Sequence, residues 1–310
     1  METELDWRRL EVGAEQGSCR LDAWLAEALG VSRGRVVRLL GEGRVRVHGR
    51  VVTERWKGRM VEGGWELEVG LSGDQAEVDR PIAEAGGEAV LAEGDGWVVL
   101  DKPAGTPVHP LWADERGTLV NTLAAKWPGV IGVGEGGLRS GVAHRLDVPT
   151  SGCVVLATEQ GAWERLRAAF SEHRVLKRYR AVVRGRLEGP RDEWERVALR
   201  LAVTRHRPAR VGVVSADDPA GRRCRLGYRV VELLADATVV EVDLETGFLH
   251  QVRAMFAHLR HPVLGDVDYG GEEPRVGRLM LHAERLVIDE REVVSPLPED
   301  FTAGFQALLS

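Results

Sequence analysis

The chain has 310 residues, of which 44% are hydrophobic and 29% are charged, a length and composition typical of a globular protein with two domains. Three widely separated cysteines, Cys19, Cys153 and Cys224, form no CxxC pair, which argues against a disulfide framework and a zinc site and favours a reducing compartment. The acidic N-terminus and the lack of a run of about 18 apolar residues argue against a secretory signal and a membrane span, so we expect a cytoplasmic protein.

The formal net charge is −6, which at first argues against a nucleic-acid partner. However, the acidic residues are concentrated in one segment. Residues 1–60 carry 12 Lys and Arg against 9 Asp and Glu, whereas residues 61–100 carry 1 against 10. Residues 31–60 alone hold nine Lys and Arg against two acids. Because a polyanion responds to local fields and not to the chain-wide sum, a nucleic-acid partner stays open.

Residues 20–69 have the pattern of a small module with two helices and a hairpin. The first helix is indicated by apolar residues at helical spacing, namely Leu21, Trp24, Leu25, Ala28 and Leu29, and Gly30 is expected to end it. Ser32 is the expected N-cap of a second helix that reaches Gly41. Val45 and Val47 then alternate with arginines, His48-Gly49 forms a turn, and residues 51–52 return as a second strand.

Residues 70–90 are polar, acidic and rich in glycine, and we expect a solvated linker there. Beyond residue 91 the patterns predict both strands and helices. The strands are expected at residues 97–100, 154–157, 179–183, 238–244 and 279–288, and the helices at 163–170 and 250–259. Since strands and helices do not alternate regularly, we expect an α+β domain with a mixed sheet. The predicted domains are therefore 1–69 and 91–310, joined by 70–90.

The most informative segment is residues 144–152, which read HRLDVPTSG between two apolar runs. Thr150, Ser151 and Gly152 supply the turn chemistry, so Asp147 is not needed to make the bend. This makes Asp147 a candidate catalytic carboxylate. The alternative is a turn or N-cap residue whose carboxylate binds backbone amides.

Four further motifs accompany this segment in the same domain. They are KPAG at 102–105, KRYRAVV at 177–183, TGFLHQVR at 246–253, and GDVDYG at 265–270 followed by LHA at 281–283. In this order they resemble the RluA-type RNA pseudouridine synthases. Residues 20–69 similarly resemble the αL RNA-binding domain, with RLD at 20–22, SR at 32–33, GRVRV at 43–47 and Gly49, although His48 replaces its common Asn.

The resemblance implies a catalytic domain with a mixed, mainly antiparallel sheet, and an enzyme that isomerises uridine in RNA without a cofactor or metal. It implies that Asp147 acts at the sugar, either as nucleophile or as base, and that Arg253 keeps it ionised. Tyr179 would lie on the target base, and Arg145 would enter the space left by a flipped nucleotide. Considered singly, Arg253 could instead be a solvated helix residue, Tyr179 a core aromatic, and Arg145 a phosphate contact.

Phe248 departs from the family, which usually has Arg or Lys in TGRxHQ at this place. We expect catalysis to survive this change, because the three residues central to it are unaffected, and the change leaves the specificity open. The spacing of His258 and His261 does not indicate a metal, because Pro262 follows and no carboxylate-rich helix accompanies them.

Six arginines of the first module are predicted to bind RNA phosphates: Arg33, Arg35, Arg38, Arg44, Arg46 and Arg50. A solvated surface is the alternative for them. The expected substrate is ribosomal RNA, with transfer RNA as the alternative, and we expect a monomer without membrane or metal partners. Two rival functions stay open, a non-catalytic RNA-binding protein that kept the fold and a carboxylate N-glycosidase that releases a free base.

Overall fold

The computed structural model describes residues 5–13, 19–31, 33–72 and 80–309. Ser32, the predicted N-cap, lies outside the described residues. The N-terminal part contains a four-stranded antiparallel sheet in the order β1-β4-β2-β3 and two helices. The strands are β1 (Leu5–Glu11), β2 (Val45–Val47), β3 (Arg50–Val51) and β4 (Glu66–Ser72), and the helices are α1 (Leu21–Leu29) and α2 (Arg33–Gly41).

The two helices and the hairpin of this part are where the sequence predicted them. Leu21 and Leu25 of α1 are buried, as are Leu39 and Leu40 of α2, because the helical spacing puts them on the faces that meet the small sheet. Gly30 ends α1 in the left-handed conformation, with φ of 67°. The sequence did not predict β1 and β4, and β4 runs to Ser72, into the segment assigned to the linker.

The second sheet has ten strands in the order β10-β9-β11-β12-β8-β13-β7-β6-β5, with β14 paired to β13. The strands are β5 (Val90–Gly94), β6 (Trp97–Lys102), β7 (Ser151–Ala157), β8 (Leu176–Arg184), β9 (Glu195–His206), β10 (Ala209–Val213), β11 (Arg222–Leu233), β12 (Ala237–Leu244), β13 (Leu281–Ile288) and β14 (Arg291–Val294). The β7–β13 pair is parallel, whereas the other described pairs are antiparallel. The predicted mixed, mainly antiparallel sheet of an α+β domain is therefore confirmed.

Four helices accompany this sheet: α3 (Leu119–Lys126), α4 (Gln160–Ser171), α5 (Gln251–His258) and α6 (Glu299–Ala307). The predicted strands correspond to β6, β7, β8, β12 and β13, and the predicted helices correspond to α4 and α5. Strands β5, β9 to β11 and β14 and helices α3 and α6 were not predicted. Within the described ranges, no helix is both long and apolar enough to cross a membrane.

The described end of the expected linker is held against α3. The side-chain amide of Asn121 donates to the carbonyl of Ile82 at 2.8 Å, and the hydroxyl of Thr122 donates to Glu88 at 2.7 Å. The amide of Gly117, just before α3, donates to Glu84 at 2.9 Å. Residues 80–90 are thus anchored rather than free in solvent, while the domain boundaries themselves stay predictions.

Candidate active site

A cleft of about 500 Å³ opens where the HRLD segment, α4, β8 and the start of α5 meet. All four residues that the sequence singled out for catalysis and substrate binding line it, namely Arg145, Asp147, Tyr179 and Arg253. Arg253 comes from a part of the chain more than 100 residues away from Arg145 and Asp147. The cleft's size lies within the range of about 300–1,000 Å³ that is common for small-molecule sites in proteins.

Asp147 presents its carboxylate to this cleft. The Thr150 amide donates to the Asp147 carbonyl at 3.0 Å and so closes the turn through the backbone. In the described part of the chain, no backbone amide donates to the Asp147 carboxylate; instead its Oδ2 lies 3.6 Å from Nη1 of Arg253. The turn therefore forms without the acidic side chain, which supports the interpretation of Asp147 as a site residue.

Arg253 is a buried cation whose orientation is set by two other carboxylates. Its Nε and Nη2 each donate to Asp266 at 2.7 Å, and Nη2 also donates to Asp268 at 2.9 Å. This forked pairing leaves Nη1 directed at Asp147. Burial lowers the pKa of Arg253, but the bonds and charges of Asp266, Asp147 and Asp268 more than offset it, so the pKa lies above its ordinary value. The guanidinium therefore stays charged beside Asp147.

Tyr179 forms a wall of the cleft from β8. Its side chain is almost fully buried. Burial raises the pKa of the phenol, and the negative charge of Asp147 raises it further. The hydroxyl is therefore protonated at neutral pH, and the ring offers an uncharged aromatic surface next to the carboxylate.

Lys102, from the KPAG motif, ties two loops together beneath the site. The buried ammonium donates to the carbonyls of Pro103, Thr106 and Val148 at 2.9, 2.6 and 2.9 Å. The amide of Gly105 adds a bond to the same Val148 carbonyl at 2.8 Å. Because Val148 follows Asp147 directly, this clamp limits the movement of the carboxylate. The motif was recognised in the sequence, but this role was not, since it depends on a contact 46 residues away.

His144 and His250 line the cleft as neutral residues. Nε2 of His144 accepts the Val155 amide at 3.0 Å, and its ring stacks on Phe170 with centroids 4.4 Å apart. Burial, helped by the charge of Lys177, lowers the pKa of His144 to about 3. Nδ1 of His250 lies 3.1 Å from the hydroxyl of Tyr269. The residues that the structure describes contain no cluster of His, Cys, Asp or Glu suited to a metal ion.

Arg145 and Phe248 lie at two other places along the cleft wall. Arg145 is exposed, so its guanidinium is open to solvent. Phe248 is half-buried and packs against the main core, and its amide donates to Oε1 of Gln251 at 3.0 Å. The departure from the family pattern therefore replaces a charged side chain with an aromatic ring inside the cleft itself.

The six arginines of the first module lie away from this cleft. Arg33 and Arg50 are exposed, and Arg35 lies on α2. Arg44 pairs with Glu42 at 3.0 Å. Arg46 lies over the Trp7 ring, 3.8 Å from its centroid, and Arg38 lies 5.2 Å from the centroid of Trp112. Some of these cations are thus already engaged within the protein, while Arg33 and Arg50 project from it.

The comparisons with known proteins agree with this geometry. Residues 96–258 match the family described as RNA pseudouridylate synthase. An uncharacterised RNA pseudouridine synthase of Chloroflexus aurantiacus is 33% identical, covering 96% of this chain and 92% of the relative. The ribosomal large subunit pseudouridine synthase D of Vibrio parahaemolyticus is 31% identical, covering 93% and 90%.

A solved structure of human RNA Pseudouridylate Synthase Domain Containing 4 has the same fold. Its TM-score is 0.57 at 20% identity, and the match covers 71% of this chain and 92% of the human chain. The sequence relatives extend over nearly the full length of this chain, including the first module. The chain therefore belongs to the RNA pseudouridylate synthase family, as its RluA-type motifs predicted, and is an RNA pseudouridine synthase, an isomerase.

Proposed function

We propose that this enzyme isomerises uridine in ribosomal RNA to pseudouridine, and that Asp147 is its catalytic carboxylate. The observation that carries the proposal is the meeting of Asp147, Arg253 and Tyr179 in one cleft. The assignment to ribosomal RNA is supported by relatives such as the large-subunit synthase of Vibrio parahaemolyticus.

The isomerisation of uridine requires few groups from the protein. The uracil must leave the anomeric carbon by its ring nitrogen, turn over, and rejoin through carbon-5. The proton on carbon-5 is then lost and the ring nitrogen takes one up, so there is no net loss or gain of atoms. Asp147 acts at the sugar as nucleophile or base, with the charged Arg253 beside its carboxylate. Tyr179 supplies a flat, uncharged surface on which the detached base rests.

The target nucleotide must leave the RNA stack to reach this cleft. Extrusion of a base costs a few kcal/mol, which contacts in the pocket offset. Arg145 is exposed at the cleft, where it can fill the vacated space or hold a neighbouring phosphate. The arginines of the first module, above all the exposed Arg33 and Arg50, add affinity for the phosphate backbone.

The Asp147→Asn variant tests the catalytic assignment. The amide has the same shape but cannot act as nucleophile or base, so we expect pseudouridine formation to disappear. We expect RNA binding and the thermal unfolding midpoint to stay close to those of the wild type, because the turn is closed by the backbone carbonyl of Asp147 and not by its side chain. Nucleoside chromatography of treated RNA measures this, and Asp217→Asn, on an exposed loop outside the cleft, is the matched control.

Mass measurement of the RNA separates the rival functions. Isomerisation leaves the mass unchanged, whereas an N-glycosidase would lower it by the released base. A wild-type protein that binds RNA without changing it would support the non-catalytic alternative. Pseudouridine mapping of total RNA from cells with and without this gene tests the substrate. Loss of a transfer-RNA site alone would contradict the ribosomal assignment.

A further inference from the structure

The loop between β6 and α3 carries an exposed tryptophan beside the first module. Trp112 is 50% exposed, and its neighbour Leu111 is 64% exposed. The guanidinium of Arg38, on α2, lies 5.2 Å from the centroid of the Trp112 ring. An exposed aromatic side chain beside a basic helix is suited to contact a bound strand of RNA.

This loop is held in one conformation by its own hydrogen bonds. The Leu111 amide donates to the Glu115 carboxylate at 2.6 Å, and the Glu115 amide donates to the Trp112 carbonyl at 3.1 Å. Asn121 of α3 donates to the Glu115 carbonyl at 3.2 Å. Because the backbone is already ordered, the indole would lose little conformational entropy when a ligand stacks on it.

The same loop leads from Trp112 to the cleft. Nε of Arg139, which lines the cleft, donates to Nε2 of His109 at 3.3 Å. Burial, with the charges of Arg139 and Arg145, lowers the pKa of His109 to about 4, so the imidazole is neutral beside these two cations. Trp112 is three positions after His109, a span of at most about 11 Å. Trp112 therefore lies beside Arg38 and within a short stretch of chain from His109, which contacts the cleft residue Arg139.

The chemistry of this surface fits one kind of partner. An indole face accepts any nucleobase by stacking, and the flanking guanidinium groups attract phosphates. Glu135 pairs with Arg139 at 2.6 Å, but each side chain is 42% exposed, so a phosphate could replace the carboxylate. We propose that Trp112 is a stacking platform for an unpaired RNA base that flanks the target nucleotide, with Arg38 on the adjoining phosphate. This inference rests on the proposed action on RNA.

Steady-state kinetics of the Trp112→Ala enzyme test whether Trp112 stacks on RNA. The substrate is protein-free large-subunit ribosomal RNA transcribed in vitro. Stacking of one base on an aromatic side chain corresponds to about 5- to 100-fold in affinity, so we expect KM to rise by at least about 5-fold. We expect kcat to change by less than about 2-fold, because Trp112 is outside the cleft. Trp112→Phe should retain most of the affinity, and Leu111→Ala, on the same exposed loop, is the matched control.

The salt dependence of KM distinguishes a stacking contribution to RNA binding from a charge contribution. The slope of log KM against log salt concentration should be unchanged in Trp112→Ala, since stacking releases no counterions, and should decrease in Arg38→Ala. An unchanged KM in Trp112→Ala, or an equal rise in Leu111→Ala, would overturn the proposal. So would faster proteolysis of the 70–90 segment in Trp112→Ala, because that result would show that the indole only fastens the first module. A wild-type enzyme that leaves the RNA unmodified would instead contradict the proposed function.

Discussion

At the scale of single residues, the buried charge of Arg253 is oriented by its carboxylate partners. Its two short bonds to Asp266 satisfy one edge of the guanidinium, and Asp147 lies at the remaining nitrogen. A cation held in this way stays beside Asp147 and cannot turn away from it. We therefore expect Asp266 to act as a positioning residue, which orients Arg253 without contacting the substrate.

Replacement of Asp266 is expected to lower the free energy of unfolding substantially. Asp266→Asn leaves Arg253 buried without its paired carboxylate, and loss of one partner of a buried ion pair costs about 3–5 kcal/mol in the free energy of unfolding. Asp268→Asn is the matched control, because Asp268 is 45% exposed and an exposed pair contributes about 1 kcal/mol or less. Urea denaturation of the two variants measures the difference. Equal losses would mean that Asp266 does not hold Arg253 as described.

His144 should make stability depend on pH in a defined window. The pKa of His144 falls to about 3 in the folded protein from an ordinary 6.5, so the unfolded chain binds more protons between these values. Stability is therefore complete above about pH 6.5 and is lost as the pH falls towards 3, at up to about 1.4 kcal/mol per pH unit. His144→Gln keeps an acceptor for the Val155 amide without this titration. Unfolding curves from pH 3 to 7 should be flatter for the variant, and parallel curves would contradict the assignment.

At the scale of secondary structure, the position of Asp147 depends on how closely β7 approaches β13. Gly152, the second residue of β7, has φ of 116°. A Cβ atom there would lie 2.2 Å from the Ala283 carbonyl oxygen of β13. Gly152 also pairs with Lys102 of β6, the residue that clamps the segment after Asp147. Gly152 thus allows β7 to approach β13 closely, and through its pairing with Lys102 it is connected to the segment that positions the Asp147 carboxylate.

Gly152→Ala is expected to strain both the backbone and this strand pairing. We expect a loss of at least about 2 kcal/mol in the free energy of unfolding, from the unfavourable φ and the overlap with a carbonyl that has little room to move. The midpoint of thermal unfolding and the rate of pseudouridine formation should both fall. Gly129→Ala is the control, since its added Cβ meets nothing within 4 Å and no positive φ is required. Similar midpoints for the two variants would contradict the argument.

At the scale of the whole molecule, the accessibility of the three cysteine thiols reflects how tightly each part of the chain is packed. Cys19 is half-buried, whereas Cys153 and Cys224 are buried in the large sheet. Burial raises the pKa of Cys153 to about 12 and that of Cys224 to about 11, which suppresses the reactive thiolate. The small module should therefore carry the accessible thiol.

A thiol titration of the native protein should detect one reactive group of the three in the sequence. All three should react in concentrated urea, and Cys19→Ser should remove the native reaction. A chromogenic disulfide reagent measures the number directly. Two or three rapidly reacting thiols in the native protein would show that the large sheet is more open than the structure indicates.

The sequence alone determined the family and the α+β class, and it predicted Asp147, Tyr179 and Arg253 as site residues. Motifs in chain order and local periodicity carry this information, because each motif lies within a few consecutive residues. The same local patterns did not reveal β9 to β11, whose long antiparallel pairs place charged residues among apolar ones.

Only the tertiary structure decided which groups act together. The pairing of Asp266 with Arg253, the clamp of Lys102 on Val148 and the position of Trp112 beside Arg38 each join separate elements. So does the close parallel approach of β7 to β13. Periodicity in a sequence reports which face of an element is buried, but not which distant residue lies against it, and that contact exists only once the sheet is assembled.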